Sequence, residues 1–272
     1  MKTLYLSDLD GTLLRSDESI SEYSIGTINR FIQNGGFFSY VTARSVASAL
    51  EVTKCINANL PVICANGALI YSDITKEILW SSFFNPGEVA FIKSVLCDLG
   101  VYPVVFAYAG GKEYMTYTDR FPTPQMERFF GTISGDAQAR KAVDLDELYS
   151  GNVFHFVCMD DDASYFPIIS ALEKDNRFYY FSQEEITSGD FWFNILPVNA
   201  TKANGALQLK AMLGIDRIVV FGDQRNDLPL FSVADECYAM ENALPELIEA
   251  ATAVIDSNNN DGVAKWIEKN AL

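Results

Sequence analysis

Positive charge is scarce in this chain. Its 272 residues carry 20 Lys and Arg against 36 Asp and Glu, a formal net charge of −16. That balance lacks the broad basic footprint that nucleic acid or an anionic membrane surface requires, so any bound anion has to be captured by local features. Long apolar runs are missing as well. The apolar start is broken at Asp8 and Asp10, and no later stretch reaches the ~18 uninterrupted apolar residues of a spanning helix, so the sequence predicts a cytoplasmic protein with no membrane partner. The five cysteines, Cys55, Cys64, Cys97, Cys158 and Cys237, form an odd set without C-x-x-C spacing and read as buried reduced thiols. The one histidine, His155, falls in the alternating "NVFHFVCM" and reads as a strand residue, not a catalyst.

What is abundant is core-forming material. With 49% hydrophobic and 21% charged residues, the chain can bury one large or two medium cores. The first third alternates strand and helix patterns: "TLYLSDL", "SEYSIGTINRFIQNGG", "FFSYVTA", "SVASALEVTKCI", "LPVICANGALI". Such order implies a parallel sheet with helices on both faces. A hairpin, "ALIYSD" to "KEILWSS", follows, and near "FFNPGEV" the texture turns to helices mixed with short aromatic strands. From "FWFNILPV" the α/β pattern is expected to resume. The fold class read from this order is an α/β, Rossmann-like parallel core over residues 1–83 and 189–272, interrupted by an inserted α+β cap over 84–188.

Residues able to do chemistry cluster where strands end. In "LYLSDLDGTLL", Asp8 and Asp10 sit two apart at the exit of a buried strand, and i, i+2 side chains of a strand share a face. Two such carboxylates repel and are costly to desolvate unless a cation such as Mg²⁺ joins them. Gly11 permits a sharp turn, and Thr12 with nearby N–H groups can hold an anion; the same residues also suit a plain strand-ending turn. "YVTAR" brings Thr42 and Arg44 to the second strand's end, a hydroxyl donor and an anion-binding guanidinium, or else an N-cap and a solvated first-turn residue. Asn66-Gly67 reads equally as a turn or as an amide offered to a ligand. Lys202 opens a helix, where the dipole disfavours a cation but where a lysine grips phosphate well. "RIVVFGDQRNDLPLF" places Asp223, Asn226 and Asp227 within five residues after an apolar strand, either a divalent-cation site or a turn with a helix cap.

The ordered series D-x-D-G-T, T-x-R, K, G-D-x-x-N-D resembles the haloacid dehalogenase (HAD) superfamily of phosphatases, and more narrowly its Cof-type branch, with supporting stretches "CANGALIY", "AMENALPELIEAAT" and "NNNDGVAKWI". The resemblance implies an Mg²⁺-dependent phosphohydrolase acting on a small phosphorylated metabolite such as a sugar phosphate. Asp8 would be the nucleophile that becomes an aspartyl-phosphate, and Asp10 the general acid/base with its backbone carbonyl on the metal. Thr42 and Lys202 would hold the phosphoryl oxygens, Gly11, Thr12, Arg44 and Asn66 the substrate, and Asp8, Asp10, Asp223, Asn226 and Asp227 the metal. A phosphotransferase using the same intermediate, and a phospho-aspartate sensor, are the competing readings. Two departures from the family pattern stand out: the glycine after Lys202 is delayed to Gly205, and Glu241 in "MENA" adds an acidic side chain near a rim loop.

Overall fold

The computed structural model describes residues 1–120, 122–133, 135–184 and 189–272. The chain begins with β1 (Thr3–Ser7), α1 (Glu22–Gln33), β2 (Phe37–Tyr40), α2 (Val46–Val52), β3 (Val62–Cys64), β4 (Leu69–Ser72) and β5 (Glu77–Ser81). It continues through α3 (Pro86–Asp98), β6 (Val104–Ala109), β7 (Lys112–Tyr117), α4 (Pro124–Thr132), β8 (Ala139–Lys141), α5 (Leu145–Leu148), β9 (Asn152–Met159), α6 (Phe166–Leu172), β10 (Phe178–Glu184) and β11 (Phe191–Pro197). It closes with α7 (Lys202–Leu213), β12 (Arg217–Gly222), α8 (Leu228–Val233), β13 (Glu236–Met240), α9 (Pro245–Ala250), β14 (Ala253–Ile255) and α10 (Gly262–Asn270). Two compact units result, one of residues 1–81 and 200–272, the other of residues 82–199.

The first unit is built on a parallel sheet in the order β14-β13-β12-β1-β2, extended by a parallel bridge from Val41 to Ile63. Its central strands β1 and β12 are covered on both faces, which is why they read as near-continuous apolar runs. Leu4 and Leu6 of β1 pack with Ala206, Leu209 and Leu230 of α7 and α8 on one face. Tyr5 of the same strand packs on the other, with Ile28, Phe31 and Ile267 of α1 and α10. From β1 the chain moves to β2 on one side, then returns to lay β12 on the opposite side of β1. This is a topological switch point, where ligands of open α/β sheets bind beyond the carboxyl ends of the strands.

The second unit holds a sheet in the order β10-β11-β9-β6-β7-β8, antiparallel apart from the β7–β8 pair. One face carries a core with Ile92, Leu96, Ile168 and Leu172 of α3 and α6; the other is packed by Met126 of α4 against Val104, Met115 and Val157. His155 is a buried strand residue that shares a hydrogen bond of 2.9 Å with Asn194. Burial holds its imidazole down at about 4.

Two expectations need correction. "FWFNILPV" does not rejoin the parallel core: β11 pairs antiparallel with β9 and β10, so the second unit runs to Asn199, and the expected boundary at 188 falls on a residue outside those described. Alternating strands of this length fit either sheet, and pairing partners decide the matter. Likewise "LPVICANGALI" is not one strand. A left-handed turn at Ala65, Asn66 and Gly67 splits it, and β3, β4 and β5 form an antiparallel three-stranded sheet. Gly67 has φ +92°, and a Cβ there would stand 2.1 Å from the Thr201 carbonyl oxygen, so the start of α7 is seated on bare backbone. Gly67→Ala is therefore expected to destabilise the first unit by about 2–4 kcal/mol, read as a lowered thermal unfolding midpoint.

Candidate active site

The site begins with how β1 ends. After Ser7 the chain winds into a short turn, Leu9–Leu13, in which Gly11 adopts φ +71°. Asp8 remains extended at its entrance, its backbone N–H tied to the Phe221 carbonyl of β12 at 3.0 Å and its Oδ1 accepting from the Leu9 N–H at 2.7 Å. A Cβ on Gly11 would lie 2.1 Å from Asp223 Oδ2, so glycine is what lets the Asp223 side chain approach this turn. Thr12 Oγ1 donates to Asp223 Oδ1 at 2.7 Å. Residues 211 positions apart thus close on one another because β1 and β12 are neighbours.

Lys202 supplies the cation at the centre. Thr201 caps α7, accepting from the Asn204 N–H, and this puts the lysine on the first turn. Its side chain is 1% exposed, with Nζ 2.7 Å from Asp227 Oδ1 and 2.9 Å from Asp8 Oδ2. The helix dipole is overridden by two carboxylates, which resolves why a lysine stands there. Burial pulls the ammonium down, but Asp227 and Asp8 together outweigh it and hold Lys202 above its ordinary range. Asp227 in turn accepts the N–H groups of Asp223 and Gln224 through Oδ2, at 3.0 and 3.1 Å.

Carboxylate oxygens of Asp8, Asp223 and Asp227 all lie within 4.8 Å of one another. Burial pushes Asp8 well above the usual carboxylate range, with Lys202 opposing and the other acids adding to it. Burial and then Asp227 raise Asp223 to about 7. With one ammonium among three carboxylates, two formal negative charges stay uncompensated, which suits a divalent cation with oxygen ligands. A buried polar atom supports the fit: Asn226 donates through Nδ2 to Asn66 Oδ1 at 3.0 Å, while its own Oδ1 is buried with no hydrogen-bond partner among the described residues.

The remaining expected residues divide. Thr42 is fully buried at the exit of β2; its Oγ1 accepts from the Arg44 N–H at 3.1 Å, and its N–H bonds the Ile63 carbonyl. Arg44 does not present a free guanidinium for substrate, because Asp10 takes it at 2.6 and 2.9 Å. The Asp10 carboxylate is not among the clustered acids. Asn242 and Glu18 escaped the sequence reading, in which Gly67 is only part of a turn. Asn242 braces the turn by donating to the Gly11 carbonyl at 2.8 Å, Gly67 seats α7, and Glu18 lies 3.3 Å from Arg44. The delayed Gly205 has a place too, since a Cβ there would meet Ile63 Cγ2 at 2.6 Å.

Residues 5–267 match the family profile of haloacid dehalogenase-like hydrolases. The chain belongs to this family and is a hydrolase of its type. Among curated relatives it is 24% identical to 5-amino-6-(5-phospho-D-ribitylamino)uracil phosphatase YwtE of Bacillus subtilis (strain 168), over 96% of each chain. The fold matches that of BT1666, a HAD phosphatase from Bacteroides thetaiotaomicron, with a TM-score of 0.81 at 19% identity, covering 99% of this chain and 95% of that one. It also matches the HAD sugar phosphatase BT4131, with a TM-score of 0.76 at 19% identity, covering 99% and 98%. Hydrolases of this family need a divalent metal, and the buried acidic cluster is where this member's donors converge.

The raised acids give the unloaded site a pH signature. A carboxyl whose folded value lies above its unfolded value stabilises the fold when protonated, so that contribution is present at low pH and lost as pH rises from about 4 through 7. A divalent cation such as Mg²⁺, if these acids bind it, would compete with those protons. Thermal unfolding should therefore show a larger Mg²⁺-induced rise in midpoint at pH 8 than at pH 6, and an equal rise at both would contradict the raised value.

Proposed function

We propose that the protein is an Mg²⁺-dependent, cytoplasmic phosphatase that hydrolyses a small phosphorylated metabolite through an aspartyl-phosphate on Asp8. The observation that carries this reading is the buried Asp8–Lys202–Asp227 chain beside Asp223 at the switch point of the sheet. A carboxylate needs no base to act as a nucleophile at neutral pH, and Lys202 opposes the burial that raises the Asp8 carboxyl, so it favours the charged, attacking form. In the first step an Asp8 oxygen forms a bond to phosphorus, the ester P–O bond breaks, and the Asp10 carboxyl gives its proton to the departing oxygen. In the second step Asp10 takes a proton from water as that water bonds to phosphorus, and the Asp8 carboxylate is released.

Lys202 and the Thr42 hydroxyl would hold phosphoryl oxygens, with Thr12 and the N–H groups of the Leu9–Leu13 turn beside them. Asp8, Asp223 and the Asp10 carbonyl would ligate Mg²⁺, with Asn226 and Asp227 supporting; when bound, the ion neutralises charge spread over the phosphoryl oxygens. A net-negative protein thereby accepts a phosphate ester through local groups. The inserted second unit would act as a cap. The ribityl and sugar phosphate substrates named for the relatives support a polyhydroxylated leaving group, such as a sugar phosphate.

Asp8→Asn is expected to lower turnover of p-nitrophenyl phosphate at least about a thousandfold while leaving the circular dichroism spectrum unchanged. EDTA should abolish wild-type turnover and excess Mg²⁺ restore it. Near-normal activity in Asp8→Asn would remove the assignment. A panel of phosphorylated metabolites, read by phosphate release with Asp8→Asn as blank, identifies the substrate.

A further inference from the structure

Asp10 is gripped by Arg44. The guanidinium donates through Nε to Oδ2 at 2.9 Å and through Nη2 to Oδ1 at 2.6 Å, a two-pronged bond that fixes the plane of the carboxylate. Arg44 is itself anchored. Its Nη1 donates to Ser48 Oγ at 3.2 Å, its Nη2 lies 3.3 Å from Glu18 Oε2, its backbone N–H reaches Thr42 Oγ1, and its carbonyl accepts from the Ala65 N–H. The arginine side chain is 16% exposed while that of Asp10 is 44% exposed, so the buried partner holds the accessible one. Glu18 occupies left-handed backbone with φ +62°, in a turn closed by its N–H on the Arg15 carbonyl at 2.9 Å. Such backbone is strained for a non-glycine residue, and here it brings a second acidic side chain to the guanidinium.

Resting on the function proposed above, we propose that Arg44 is a positioning residue for Asp10 and not a ligand of the substrate's phosphoryl group. Oδ2 of Asp10 gives one lone pair to Nε and keeps the other, while Oδ1 accepts from Nη2 and, at 3.1 Å, from Nε as well. The proton that passes to the leaving oxygen, and later comes from water, travels on the open side. Glu18 and Ser48 keep the fork in register. A lysine could not do this, having a point charge in place of a planar fork.

The test uses aryl phosphates of graded leaving-group acidity on the full-length protein with Mg²⁺. Loss of a positioned general acid hurts poor leaving groups most. Arg44→Ala should lower kcat on phenyl phosphate by about 30-fold or more, consistent with the usual worth of general acid catalysis, but lower the p-nitrophenol burst by no more than about threefold. The inhibition constant of inorganic phosphate should stay within about threefold of wild type, Arg44→Lys should recover little, and added guanidinium ion should restore part of the lost rate. Glu18→Gln should show the same leaving-group trend, weaker. A loss equal across all leaving groups, with phosphate inhibition weakened tenfold or more, would overturn the proposal and make Arg44 a phosphate ligand. If Arg44→Ala fails to fold, Arg44→Lys and Glu18→Gln carry the same comparison. Turnover surviving in Asp8→Asn would instead remove the function itself, a result separable from any leaving-group pattern in the Arg44 variants.

Discussion

Everything at the site depends on one buried ammonium. Lys202 is 1% exposed and lies within 2.9 Å of carboxylates from two different strand ends, Asp8 after β1 and Asp227 after β12. Three acids packed so closely would take up protons if left to themselves. The lysine answers part of that charge, and what is left over suits a divalent cation. Taking either partner out of such a buried pair costs about 3–5 kcal/mol, because the other charge is left stranded, so stability and chemistry hang on the same contact.

The fold is arranged to make that contact. Strand order places β1 beside β12, so the strand exits that carry Asp8 and Asp223 lie side by side. Glycines then remove the atoms that would intervene. Gly11 admits Asp223, Gly67 admits the first turn of α7, and Gly205 admits Ile63. Each is a place where the backbone needs to be bare.

Much of this could be read before the structure. Asp8, Asp10, Asp223 and Asp227 stand out by recurring together at the exits of apolar strands, although each alone also suits a turn or a helix cap. Lys202 does so because a cation opens a helix against its dipole. What could not be read depends on reach or on pairing partners. Nothing in "YVTAR" tells whether a long guanidinium turns outward to a ligand or back to Asp10. Nothing in "FWFNILPV" tells which sheet a strand of alternating residues will join, and β11 joined the second. Asn242 lies in a stretch where the acidic Glu241 drew attention, yet it is the neighbouring amide that braces Gly11.

The central claim is that Asp8, paired with Lys202, attacks phosphorus. Acid quench of a reaction with substrate in excess, followed by mass spectrometry of the peptide bearing residues 4–14, tests it most directly. The added mass of one phosphoryl group on Asp8, present in the wild type and absent from Asp8→Asn, is the result expected. Phosphate release with Asp8 never modified, or with the label on another residue, would contradict it.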